Sequence, residues 1–122
     1  MASEMQIRAE LSITNGSFVD HIAPGNITVT QNALGMGGGV QSIPTADTVV
    51  SLGTITTNGW CFLQNLDTAN YIEFGPTSGG AIVKVGRLNA GEFAIFRLNP
   101  AAVLRAIAHT GACLLYTKIY ND

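Results

Sequence analysis

The chain has 122 residues, of which 47% are hydrophobic and only 11% are charged, and its formal net charge at pH 7 is −2. This length predicts a single domain, 1–122, with its own core, and weak acidity with scattered Lys and Arg argues against nucleic acid as a partner. The longest uncharged run, 47–67, contains Gly, Ser, Thr and Asn, so no membrane-spanning helix is predicted. The charged residues among positions 4–10 argue against a signal peptide.

The first predicted elements are strands. Apolar and polar residues alternate over 5–13, which predicts one strand with a buried face. Asn15-Gly16 follows, and this dipeptide favours a type I′ turn that reverses the chain. Strands over 18–22 and 27–31 are predicted next, separated by a turn that contains Pro and Gly.

The segment 34–39 contains four glycines around Met36, and its lack of side chains predicts a loop. Phosphate binding by this segment is not favoured, because neither a helix nor a Lys follows it. We expect the loop to be mobile in the isolated protein and to become ordered against a neighbouring subunit, with Met36 as its apolar anchor. An ordinary solvent-facing loop is the alternative.

Short β-branched strands are predicted over 48–52 and 53–56, and Asn58-Gly59 predicts a second tight turn. The next strand, 60–65, carries large side chains on both faces and is therefore predicted to be central. Further strands are predicted over 71–74, 81–88, 92–98 and 112–120. The segment 100–108 has helix-forming residues, but a strand from Val103 onward is preferred.

These elements amount to about nine or ten short strands without a long helix. That pattern predicts an all-β fold, a single antiparallel β-sandwich of jelly-roll type.

Few residues suit catalysis or metal binding. Cys61 and Cys113 lie in apolar runs and are predicted to be buried thiols instead of a disulfide. The two histidines, His21 and His109, are too few for a His-rich metal centre. Glu73 and Glu92 could form a glycosidase-like pair, although solvated carboxylates or turn caps are the favoured interpretation. We therefore predict no catalytic, metal or cofactor site, and a protein that is not an enzyme.

The aromatic residues Trp60, Phe62, Tyr71 and Tyr116 are expected to pack in the core. The alternative is a platform on which sugar rings stack, and exposure of Trp60 would favour it.

The segment 59–75 resembles small β-sandwich virion proteins of tailed bacteriophages. The resemblance lies in a strand that ends in an Asn-Leu-Asp turn at 65–67 and in the Asn-Tyr-Ile strand start at 70–72. A Leu-x-x-Gly-Glu turn introduces an aromatic strand at 88–93, and the opening 13–18 is also similar.

The resemblance implies a structural part of a virion, made in the host cytoplasm. The function that it implies is a capsid decoration or cement protein on the major capsid protein, and a tail or tail-fibre subunit or a carbohydrate-binding module is the alternative. Self-association is expected from the low charge, and the resemblance implies a trimer. The residues expected at partner contacts are Met36, Gly37, Gly38, Trp60 and Tyr71.

Overall fold

The computed structural model describes residues 4–122, so the first three residues of the predicted domain lie outside it. Within these residues the protein is all-β, without a helix, and the predicted fold class is confirmed. The thirteen strands, more than the predicted nine or ten, are β1 (Met5–Arg8), β2 (Leu11–Asn15), β3 (Phe18–Ile22), β4 (Asn26–Val29), β5 (Met36–Ile43), β6 (Thr48–Val49), β7 (Asn58–Asn65), β8 (Ile72–Ser78), β9 (Ala81–Ile82), β10 (Gly86–Leu88), β11 (Phe93–Arg97), β12 (Leu104–Ala108) and β13 (Cys113–Asn121).

The chain divides into two compact units, Met1–Asn32 and Ala33–Asp122. The first unit contains two antiparallel pairs, β1 with β4 and β2 with β3. The prediction of one continuous strand with a buried face is wrong, because the strand is interrupted at residues 9 and 10 and every residue of β2 is exposed. A two-stranded sheet has no second layer over which to bury its apolar side chains.

The chain reversal at Asn15-Gly16 is confirmed, but the turn type differs from the prediction. Asn15 pairs with Phe18, so Gly16 and Ser17 are the two central residues. Gly16 has a φ of 59° and Ser17 is not among the residues with positive φ. Positive φ at the first central position alone is the requirement of a type II′ turn, which glycine meets best.

The second unit contains two antiparallel sheets. The five-stranded sheet has the order β10-β8-β12-β6, with β9 paired to β8, and the four-stranded sheet has the order β11-β7-β13-β5. Buried side chains from both sheets form one hydrophobic cluster, which includes Leu63 and Leu115 from one sheet and Ile72 and Ala106 from the other. The unit is therefore sandwich-like. The jelly-roll connection and the single domain over the whole chain stay predictions.

The position of β7 between β11 and β13 confirms the predicted central strand. The strand begins earlier than expected, because Asn58 and Gly59 belong to it and do not form a turn. The buried Asn58 side chain donates to the carbonyls of Asn99 and Ala102 at 3.2 and 2.9 Å. The preceding residues 53–56 contain turns and bends instead of the predicted strand.

The loop predicted over 34–39 is wrong from Met36 onward, because β5 pairs with β13 along its whole length. A Cβ atom on Gly37 would lie 2.1 Å from the carbonyl oxygen of Leu52, and one on Gly38 would lie 2.2 Å from that of Thr117. Glycine is therefore needed in this strand for the close approach of neighbouring backbone. The strand forms within a single chain, without the neighbour that we expected to order it.

Candidate functional site

The outer side of the four-stranded sheet carries most of the aromatic side chains. Along β7, Cys61, Leu63 and Asn65 are buried, whereas Trp60 and Phe62 are half-buried on the opposite side. The neighbouring strands extend this outer side, because Ile95 and Lys118 lie opposite Phe62, Arg97 lies opposite Trp60, and Phe93 and Tyr116 lie opposite Gln64. We call Trp60, Phe62, Phe93 and Tyr116 the aromatic face.

Three of these rings contact one another. Phe62 stacks on Phe93 and meets Tyr116 edge to face, with centroid separations of 5.9 Å in both pairs. Arg97 lies 5.8 Å from the centroid of the Trp60 ring and forms an ion pair of 3.4 Å with Asp122. The aromatic face therefore contains three rings packed around Phe62, and a cationic group lies beside Trp60.

The expectation that the four aromatic residues form the core is wrong. Trp60, Phe62 and Tyr116 are half-buried on the outer side of the four-stranded sheet, and Tyr71 is half-buried just before β8. The core of β7 and β13 consists instead of the alternate residues, which are smaller and aliphatic or polar. Within residues 4–122, the buried indole nitrogen of Trp60 has no hydrogen-bond partner.

The structure brings four of the five predicted contact residues into the four-stranded sheet. Trp60 belongs to the aromatic face, and on β5 the exposed Met36 lies opposite Tyr120 and Gly38 lies opposite Lys118. Gly37, on the same strand, packs its backbone against Leu52.

The fifth predicted contact residue, Tyr71, lies elsewhere, just before β8 of the five-stranded sheet. Its ring contacts the guanidinium of Arg87 at 3.6 Å and stacks on His109 at 4.6 Å. Because Arg87 and His109 already contact the Tyr71 ring, this ring is not free to stack on a ligand.

Tyr71 belongs to a polar cluster that the sequence did not reveal. The carboxylate of Glu73 contacts the imidazole Nε2 of His109. The ammonium nitrogen of Lys84 lies 3.6 Å from the same carboxylate oxygen. Among the described residues, no hydroxyl or thiol is hydrogen-bonded to His109, so the cluster offers a possible base without a nucleophile.

The two candidate glycosidase carboxylates have separate partners. Glu92 accepts a hydrogen bond of 2.8 Å from the backbone N–H of Asn89 in the turn before β11, whereas Glu73 contacts His109 and Lys84. Glu92 therefore caps a turn, as the favoured interpretation predicted.

Both cysteines are free and buried, which confirms the prediction of buried thiols. Burial raises the pKa of Cys61 to about 12, and it also raises the pKa of Cys113. No group of three or more His, Cys, Asp or Glu residues within 4–122 is arranged to hold a metal ion. The described part of the chain also contains no helix long and apolar enough to cross a membrane.

Comparisons of the chain with family models, with curated proteins and with solved structures gave no match.

The alternation along β7 could have located half of the aromatic face, since it places Trp60 and Phe62 on one side. It did not indicate which side is buried, because Cys61 and Leu63 on the other side are also apolar. Phe93 and Arg97 were missed because only strand pairing brings them beside Trp60 and Phe62.

Proposed function

We propose that this chain is a structural subunit of a phage virion, a capsid decoration or cement protein that binds the major capsid protein and copies of itself. The observation that carries the proposal is the aromatic face, an apolar surface on the outer side of a sheet whose other side already forms the core. Large apolar surfaces on small proteins mark sites of association. The virion itself, and a trimer as the oligomer, come from the sequence resemblance.

The surrounding charges agree with an association surface. Arg97 and Lys118 are the charged residues that the register places beside the aromatic rings on β11 and β13. A surface with an apolar centre and few charges can be covered by a neighbour without leaving an ion buried and unpaired.

Immunogold labelling of purified phage particles tests the proposal, with an antibody raised against this chain. We expect regularly spaced label on the capsid, and label on the tail would support the alternative of a tail or tail-fibre subunit. Particles that lack the chain although the infected cells contain it would contradict the proposal.

A binding assay tests whether the aromatic face is the surface that contacts the capsid. Wild-type protein and a Phe62→Ala variant are added to particles that lack the chain, and bound protein is quantified after sedimentation. We expect Phe62→Ala to bind roughly tenfold more weakly, because truncating an aromatic side chain at the centre of an interface costs about 1 kcal/mol or more. The control Tyr71→Ala, outside the aromatic face, should bind like the wild type.

Carbohydrate binding is the second candidate function, and the half-buried outward position of the Trp60 ring on the aromatic face favours it. A glycan array probed with wild-type, Trp60→Ala and Tyr71→Ala proteins tests this function. Binding that is lost only in Trp60→Ala would support it, and an array without signal for the wild type would contradict it.

A further inference from the structure

The strand β11 presents a row of unpaired backbone groups. At its two ends, Asn65 N–H donates to Glu92 C=O and Leu98 N–H donates to Gly59 C=O, each at 3.0 Å. Successive residues of an antiparallel strand direct these groups to alternate sides. The N–H and C=O groups of Phe93, Ile95 and Arg97 therefore point away from β7, and no residue within 4–122 is hydrogen-bonded to them.

The other sheet edges of the second unit are short or partly covered. The edge strands β10 and β6 of the five-stranded sheet have three and two residues. At the far edge of the four-stranded sheet, the backbone of Leu52 packs against Gly37. Gln41 of the same strand donates to Val49 C=O at 3.0 Å and accepts from Ser51 N–H at 2.8 Å. The five-residue β11 is thus an edge strand to whose outward-pointing backbone groups no described residue is hydrogen-bonded.

Two of the three outward-pointing residues of this edge carry exposed apolar side chains, and the third is Arg97. Phe93 and Ile95 have 61% and 42% of their surface accessible. Beside the strand, an apolar cleft of about 520 Å³ opens between the two sheets, and no charged side chain lines it. Its lining includes Phe74, Val85, Ala94, Ile95, Phe96 and Leu98. An uncovered edge with this composition is a template for another apolar strand.

We propose that β11 pairs antiparallel with β11 of a second copy, about a two-fold axis at Ile95, so that the two four-stranded sheets become one continuous sheet. The inference rests on the self-association in the proposed function and identifies the contact. In this register Ile95 lies opposite Ile95 of the second copy, and Phe93 lies opposite Arg97. All three outward-pointing residues then form hydrogen-bonded pairs, which satisfies their backbone groups.

Side-chain chemistry supports a second copy as the occupant. The register pairs each Arg97 with an aromatic ring instead of with the other Arg97, so no like charges face each other across the contact. On the inner side, Ala94 lies opposite Phe96, and this small and large pair extends the apolar surface beside the cleft. The contact is isologous and gives a dimer. A trimer would need a second surface, for which the aromatic face is available.

Cysteine cross-linking tests the register, with Ile95→Cys in the full chain. Hydrogen-bonded antiparallel partners have Cα atoms about 5.5 Å apart, which suits a disulfide. The native thiols are buried and do not interfere. We expect mild oxidation to convert most of the Ile95→Cys protein to a covalent dimer, whereas Val40→Cys, an exposed site on β5, remains monomeric. Absence of the dimer for Ile95→Cys, or equal dimer for both variants, would overturn the inference.

Analytical ultracentrifugation of Ile95→Lys provides a second test. Two lysines facing each other at the axis should weaken dimerisation by roughly tenfold or more. Val103→Lys, at an exposed site outside the four-stranded sheet, should leave it unchanged. Urea unfolding of both variants checks that the fold is retained. A wild-type protein that remains monomeric at all concentrations, or an Ile95→Lys protein that dimerises normally, would also overturn the inference. Immunogold labelling of particles is independent of these readouts, so failure of the β11 contact is distinguishable from failure of the virion function.

Discussion

Asn65 is the polar residue most deeply buried in the sandwich, at the end of β7. Its side-chain amide donates to Asn70 C=O at 2.9 Å and to Leu88 C=O at 3.0 Å, and its oxygen accepts from Asp67 N–H at 3.0 Å. The sequence indicated only the end of a strand at this position. In the structure one side chain joins β7 and the following turn to β10.

Replacing Asn65 by Ala should lower the free energy of unfolding by about 3 kcal/mol, since buried backbone groups lose their partners. Urea denaturation measures the change. The control Asn26→Ala, which removes an exposed hydrogen bond to Arg8, should cost less than about 1 kcal/mol. Equal losses in the two variants would contradict the structural role of Asn65.

Cys61 should be chemically inert in the folded protein, because burial raises its pKa from 9.0 to about 12 and the reactive thiolate does not form at neutral pH. We expect iodoacetamide at pH 8 to leave Cys61 unmodified in the native chain and to modify it fully in urea. Mass spectrometry of the alkylated peptides measures both. Alkylation of native Cys61 at the rate seen in urea would contradict the buried position.

At the scale of elements, β5 contains two glycines that differ in the space available to a side chain. Gly38 and Gly39 both have positive φ, 104° and 141°, but only Gly38 lies against the backbone of β13. The pair therefore separates the cost of a strained φ from the cost of a steric clash.

Gly38→Ala should destabilise the protein more than Gly39→Ala does. Gly39→Ala should cost about 1 to 2 kcal/mol from its φ alone, and Gly38→Ala should cost about 3 kcal/mol or more because β13 must also move. Urea unfolding of the two variants measures the difference. Equal destabilisation would show that the close approach to Thr117 is unimportant.

The turn between β7 and β8 depends on the carboxylate of Asp67. It accepts from the backbone N–H groups of Asn70 and Ala69 at 2.6 and 2.9 Å, and these bonds lower the pKa of Asp67 below its usual 3.8. Because the folded-state pKa is the lower one, the stabilisation is complete above the usual pKa and is lost as the pH falls through the folded-state value.

The stability difference between wild type and Asp67→Ala should therefore be largest at neutral pH and should shrink as the pH falls below about 4. Urea unfolding between pH 7 and pH 2 measures it. The free energy of unfolding of Asp67→Asn, which keeps an acceptor oxygen without the charge, should lie between those of the wild type and Asp67→Ala at neutral pH. A difference that does not change with pH would contradict the role of the ionised carboxylate.

At the scale of the whole molecule, the two sheets of the second unit have outer surfaces of different chemistry. The four-stranded sheet carries the aromatic face, whereas the five-stranded sheet carries the ionic contacts of Glu73, Lys84 and Arg105. Water solvates the charged surface readily, so the aromatic face is the better candidate for burial against a neighbour.

The segment 33–122 should fold without the first unit, because the buried hydrophobic residues found within 4–122 all lie between Ile43 and Ile119. We expect it to unfold cooperatively in urea. A peptide of residues 1–32 should be largely disordered by circular dichroism, because two-stranded sheets are marginal alone. Loss of cooperative unfolding in 33–122 would contradict this division.

The sequence by itself determined the all-β class, the reversal at Asn15-Gly16 and the central position of 60–65. These features depend on alternation, on turn residues and on side-chain size, which are local properties of the chain. It also identified the buried thiols, since each lies in an apolar run. Of the aromatic face, it named Trp60, Phe62 and Tyr116 only as an alternative to core residues, and it did not name Phe93.

Only the tertiary structure decided which side of β7 faces the core and that the glycine-rich segment is a strand. A period of two defines two faces of a strand, but the layer that packs against one of them determines which is buried. Glycine is common both in loops and in strands where another backbone approaches closely, so its presence in the sequence does not distinguish the two. The position of the β13 backbone beside Gly38 shows that this segment is a strand of the second kind. The uncovered edge of β11 is also a tertiary property, because it depends on which strands pair and which do not.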